Sequence, residues 1–101
     1  MSRRQVRVTA SFFERLDELL PGQRSPTGTP SGTDFLLHEM PAINDRLADA
    51  YETSTLPVAD DPEIRVLITA GVLVEYVAVY AVLAGDDAVE VIYLEVTSPQ
   101  P

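Results

Sequence analysis

The sequence predicts an α+β fold with two layers. The order is β-α-α-β-β-β, with a mainly antiparallel four-stranded sheet packed by two helices on one face. Three observations predict it. Residues 64–96 fall into three runs rich in Val, Ile, Leu and Tyr, separated by Ala70-Gly71 and by Ala84-Gly85-Asp86-Asp87. β-Branched and aromatic residues suit a pleated, half-buried surface, and Gly or Asp breaks let the chain reverse, so these runs form an antiparallel meander. Upstream, apolar residues recur at helical spacing in two segments. Before both, Gln5–Thr9 alternates, with Val6 and Val8 on one face and Arg7 and Thr9 on the other, as a short half-buried strand does.

The elements follow in order. Ser11 and Glu14 have capping-box spacing at the start of the first helix. Phe12, Leu16, Leu19 and Leu20 make its apolar stripe, with Phe13 on the flank, and Pro21-Gly22 ends it. Residues 21–32 hold three Pro and three Gly and read as a linker. Thr33, or Ser31 with Asp34, offers the next cap. Phe35, Leu36, Met40, Ile43, Leu47, Ala50 and Tyr51 then form one stripe. Glu39, Asn44, Asp45, Arg46, Asp49 and Glu52 face mostly outward. Pro41 either kinks this segment or opens a helix after a short turn, since proline inside a helix costs about 3 kcal/mol. Thr53–Glu63 reads as a loop. The first strand has no hairpin neighbour and is expected at the edge of the meander.

Both faces of Tyr76–Leu83 are apolar. One can pack under the helices. The other is either covered by the loops at 21–32 and 53–63 or left for a partner, which includes a homodimer.

With 101 residues the chain suits one domain, and its 46% apolar content is ordinary for a globular protein. No cysteine is present, which excludes disulfides and thiolate metal sites. No signal peptide and no membrane-spanning apolar run is read, so the cytoplasm is the expected location. The net charge of −9 comes from 7 Arg, no Lys and 16 acids. Such a chain repels a phosphate backbone overall, and nucleic-acid binding would need a local basic patch. Arg3, Arg4 and Arg7 are the cluster that could supply one, with Arg15 and Arg24 as possible neighbours. Tyr76, Tyr80 and Tyr93 could stack bases, although strand tyrosines commonly serve as cross-strand packing partners. Asp60-Asp61 and Asp86-Asp87 sit in turns, where Asp is favoured for backbone reasons, and no metal or cofactor site is expected. Thr27-Gly28-Thr29-Pro30 lacks the Lys of a phosphate loop. His38 reads as a surface or core histidine, since it sits in the helix far in sequence from the sheet. A hydrolase or ligand-binding module would need a nucleophile–base pair, and none is visible.

Three stretches carry a family resemblance. Val6-Arg7-Val8-Thr9-Ala10-Ser11-Phe12-Phe13-Glu14-Arg15-Leu16 is a strand running into a helix with a small hydroxyl residue at its start. Ile64-Arg65-Val66-Leu67-Ile68 is a strand after the helices. Residues 79–92, from Val79-Tyr80-Ala81-Val82 through Gly85-Asp86-Asp87 to Val91-Ile92, form a Tyr-bearing hairpin with an Asp-rich turn. In this order the chain resembles the RelE/ParE superfamily of toxins from bacterial type II toxin–antitoxin systems, as a single domain over 1–101. The resemblance implies a small antitoxin partner and either ribosome-dependent mRNA cleavage or inhibition of DNA gyrase. For cleavage, Arg65 and Tyr93 are the candidate catalytic residues. Arg3, Arg4, Arg7 and Tyr80 are the candidates for binding nucleic acid or another target. The chain departs from the family where basic residues are usual: it has Val74, Glu75 and Val77 in the central strand, and Glu95, Val96 and Thr97 after Tyr93. A carboxylate at contact distance from a phosphodiester costs about 1–4 kcal/mol in Coulomb repulsion.

Overall fold

Alternating and β-branched runs form strands here, and 3.6-period runs form helices. The computed structural model describes residues 3–20, 22 and 30–97. The predicted linker lies largely outside these residues, as do the predicted helix stop at Pro21 and Arg24. The elements are β1 (Val6–Val8), α1 (Ala10–Leu19), α2 (Gly32–His38), α3 (Met40–Asp49), α4 (Tyr51–Ser54), β2 (Leu56–Val58), β3 (Asp61–Ala70), β4 (Tyr76–Leu83) and β5 (Val89–Thr97). The sheet has five strands in the order β1-β5-β4-β3-β2. β1 runs parallel to β5, and the other three pairings are antiparallel.

The α+β class is as the sequence predicts, and four details are corrected. The sheet has five strands, not four, because Leu56–Val58 inside the predicted loop pairs with β3. Proline is tolerated on an edge strand, where its missing N–H faces solvent, and Pro57 sits on one. The second helical segment divides into α2, α3 and the single turn α4, so the helices number four among the described residues, not two. Pro41 falls in the first turn of α3, where no intrahelical N–H bond is lost. The capping box lies at Ser31–Asp34, with both reciprocal bonds made at 3.0 Å, and not at Ser11–Glu14. Thr9 is the N-cap of α1 and Ser11 is inside the helix. Finally, the central strand begins at Tyr76; residues 72–75 form a bend.

The core sits between the helices and one face of the sheet. Phe12, Leu16, Phe35, Met40, Ile43, Leu47 and Tyr51 from the helices meet Leu67, Val77, Val79, Ala81, Val89, Val91 and Leu94 from the strands. Fully burying one such side chain contributes about 1.5–3 kcal/mol. The strand register follows from this face. Leu67 pairs with Val79 and Val79 with Leu94, all fully buried, so a slip of one residue would turn the entire set outward. A bulge at Ile92 keeps both halves of β5 inward: Ala81 pairs with Val91 while the neighbouring Tyr80 pairs with Tyr93. In the β4–β5 turn, Asp87 takes a φ of 65°, a left-handed conformation that Asp tolerates better than most residues.

β1 covers only the first half of β5. Beyond it, α1 takes over the strand edge with side chains. The Ser11 hydroxyl donates to the Ile92 carbonyl at 2.9 Å, and Arg15 Nε donates to the Leu94 carbonyl at 3.1 Å. Residues four apart share one helix face, so one stripe of α1 serves two carbonyls of the open edge. Ser11 sits within the first turn of α1, past the cap position, and its hydroxyl serves the Ile92 carbonyl instead.

Candidate functional site

Arg65 lies on the helix-facing side of β3, opposite Ala81. Its Nε donates to the Thr55 hydroxyl at 2.7 Å, and Nη2 donates to the carbonyls of Glu52 at 3.1 Å and Thr55 at 2.9 Å. The guanidinium carbon stands 5.9 Å from the Tyr51 ring centre. Arg65 therefore closes the C-terminal end of α4, where carbonyls lack helical partners and a cation is favoured. Burial raises the Tyr51 phenol pKa, partly offset by Arg65 and Arg4, so the ring stays neutral at physiological pH. The phenol donates to the Ala81 carbonyl at 3.4 Å.

Tyr93 is on the opposite face. It pairs with Tyr80 in register, and the rings meet edge to face with centres 5.8 Å apart. Arg15 stacks over Tyr93 at 4.7 Å. The structure thus brings Tyr80 and Tyr93 together and separates both from Arg65 by the thickness of the sheet.

The N-terminal arginines are each held by acids. Arg3 bridges Asp45 at 2.9 Å and Asp49 at 2.8 Å, one turn apart on α3, and these carboxylates raise its pKa. Arg4 binds Glu52 at 2.6 Å and the Asp87 carbonyl at 3.1 Å. Arg7 binds Asp86 at 2.8 Å and approaches Glu90 at 3.8 Å. The Asp86 carboxyl lies below its usual pKa because it accepts from the Ala88 backbone N–H and from Arg7. Arg3 and Arg4 share an open cleft of about 700 Å³ with Asp49, Glu52, Asp86 and Asp87. Arg7 and Arg65 are not on its wall. Both arginines of the cleft are paired with carboxylates and four acids line it, so it is not a basic groove.

The outer face of the sheet carries the other feature. Among the described residues neither the 53–63 segment nor any helix covers it; that segment extends the sheet sideways as β2, and the other predicted cover, the 21–32 segment, lies largely outside those residues. Leu56 is 66% exposed, Ile68 60%, Tyr76 52% and Tyr93 39%. With Val66, Ala78 and Tyr80 they form an apolar strip across four strands.

Sequence reasoning placed Glu39 outside, and this is corrected: it is 4% exposed. It ends α2 and points its carboxylate into the β3–β4 turn. There it accepts from the backbone N–H groups of Val72 at 2.8 Å, Leu73 at 2.8 Å and Val74 at 3.2 Å. Successive N–H groups in a turn form a concave anion site, which this side chain fills. A Cβ on Gly71 would stand 2.7 Å from the same carboxylate, so glycine is required by the close approach. The signal available in the sequence was Gly71 beside a bend, without any hint of its distant partner.

His38 is exposed and lines a shallow hollow of about 60 Å³ with Thr69, Ala70 and Val72. Among the described residues no three His, Asp or Glu side chains converge on a point a metal ion could fill. No helix among them is long and apolar enough to cross a membrane. No family model, no curated protein and no solved structure matches this chain.

Proposed function

We propose that this chain is a RelE/ParE-like toxin that acts by binding a protein target, with a small antitoxin as its natural restraint, and that it does not cleave RNA. One observation carries the reading: the arginines needed to hold a phosphate backbone are spent on protein acceptors. Arg3, Arg4 and Arg7 bind carboxylates, and Arg65 binds backbone carbonyls and a hydroxyl. A ribonuclease of this kind must stabilise charge developing on a phosphoryl group with preorganised cations. Freeing one here breaks an existing bond set. The candidate pair Arg65 and Tyr93 cannot close on one scissile bond from opposite faces. What remains available is the uncovered outer face, with Tyr80 and Tyr93 on it. DNA gyrase fits this reading better than ribosome-bound mRNA, since the target is then a protein.

The experiment is expression of the chain alone from an inducible promoter in a bacterium. The expected result is arrested growth with intact mRNA and an induced DNA-damage response. Ribosome-dependent mRNA cuts would overturn the protein-binding mechanism, and undisturbed growth would overturn the toxin assignment. The same uncovered face supports a second reading, a non-catalytic interaction domain without toxicity, which undisturbed growth would favour.

A further inference from the structure

The outer face has a shape and a charge that narrow its partner, on the reading above that this face binds protein. The sheet edges offer little room for strand addition. The two edge strands, β1 and β2, are three residues long each, β2 carries Pro57, and the half of β5 beyond β1 is occupied by Ser11 and Arg15. The broad surface left to a partner is the face.

The area of the face is small. β4 has eight residues, and the four strands give the strip a footprint of about 26 by 19 Å, or roughly 500 Å². A stable protein–protein interface takes about 800 Å² per partner, so a second folded copy would need surface beyond the strip. A single helix, about 10 Å across and some 17 residues over that length, fits it.

The charge is mostly negative. Glu95 stands on this face opposite Ala78, and Glu75 donates its N–H to the Thr97 carbonyl at the same end. Neither carboxylate has an ion pair among the described residues. The cations that border the strip are engaged: Arg15 on the Leu94 carbonyl and Tyr93, Arg7 on Asp86 and Glu90. With a net charge of −9, a second copy is repelled and a cationic segment attracted.

We propose that the outer sheet face is the docking site for one cationic amphipathic helix, whose apolar stripe covers Val66, Ile68, Ala78 and Tyr80 and whose Lys or Arg residues reach Glu75 and Glu95. The partner is thus a basic segment presented by another protein.

The probe is a synthetic peptide of about 17 residues, with Leu at helical spacing and Lys elsewhere, titrated into the isotope-labelled chain. Two control peptides carry Glu for Lys, or the same composition with the spacing broken. The expected result is amide shifts centred on Ile68, Ala78 and Tyr80. Affinity should fall about tenfold or more for each control peptide, and likewise for the Ile68→Glu and Glu95→Lys chains. Leu56→Glu, at a site 66% exposed on the edge, repeats the apolar test should Ile68→Glu fail to fold. Leu37→Glu, on the helix layer and also 66% exposed, should bind as the parent does. Shifts confined to the helix layer, equal binding of the Glu peptide, or a dimer in sedimentation that Ile68→Glu disperses would each overturn the proposal. Growth arrest that survives Ile68→Glu sinks this inference and leaves the toxin reading. Peptide binding without any growth arrest does the reverse.

Discussion

Replacing Glu39 by alanine should be among the most damaging single changes in this chain, although the residue belongs to no candidate active site. The carboxylate accepts from three consecutive N–H groups. Hydrogen bonds to a charged acceptor contribute about 1.5–3 kcal/mol each, with losses partly recovered where water reaches the freed donor. Val72 is exposed, so its N–H can be hydrated; Val74 is buried and its N–H cannot. Counting one buried donor in full and the other two in part gives a cost of about 3–4 kcal/mol for Glu39→Ala. Total stability for a domain of this size is about 5–15 kcal/mol, so much of it is at stake. Glu39→Gln keeps one oxygen, which at the Oε2 position still reaches the N–H groups of Val72, Leu73 and Val74, but it sets an NH2 donor beside the Val72 N–H, and it should cost about 1–2 kcal/mol. Urea unfolding of the three proteins measures both values, and amide exchange at Val72–Val74 locates the effect. An alanine variant within about 0.5 kcal/mol of the parent, or a glutamine variant as damaged as the alanine one, would refute the reasoning.

Other outcomes follow from the same geometry. Gly71→Ala should destabilise by about 1–3 kcal/mol, because its Cβ would meet the Val74 carbonyl at 2.5 Å; thermal melting reads this, and an unchanged melt would contradict the close approach. Arg65→Ala should cost about 2–3 kcal/mol, and Arg65→Lys should recover only part, since an ammonium cannot span the Thr55 hydroxyl and two carbonyls as the guanidinium fork does. Full recovery in Lys under chemical denaturation would show that charge alone matters. The Asp86 carboxyl is held below its usual pKa, so its contribution to stability is complete above the ordinary aspartate value and disappears as pH falls through the lowered one. Carbon-detected titration of Asp86 in Arg7→Ala should move that midpoint up part of the way, because the Ala88 N–H is the larger cause; no movement would exclude Arg7 as a partner.

The amino-acid sequence by itself determined most element types, because periodicity and β-branching act locally; Leu56–Val58, which reads as loop, becomes a strand only by pairing with β3. The meander, the helical stripe through Phe35, Ile43, Leu47 and Tyr51 and the place of β1 at the meander's edge were legible for that reason, and the second cap was narrowed to Thr33 or to Ser31 with Asp34, of which the structure uses Ser31. The two apolar faces of Tyr76–Leu83 were legible too, but which one stayed open was not, since covering depends on where the other segments travel. The tertiary structure alone decided the fate of the charges. Arg3 finds Asp45 and Asp49, Arg65 finds the end of α4, and Glu39 finds the turn after Gly71, each across more than a few residues of chain. A charged side chain takes its role from whatever the fold brings within hydrogen-bond reach, and an isolated sequence does not contain those distances. The same holds for Ser11, which by local rules should cap its helix and instead closes the edge of a strand that lies 81 residues away.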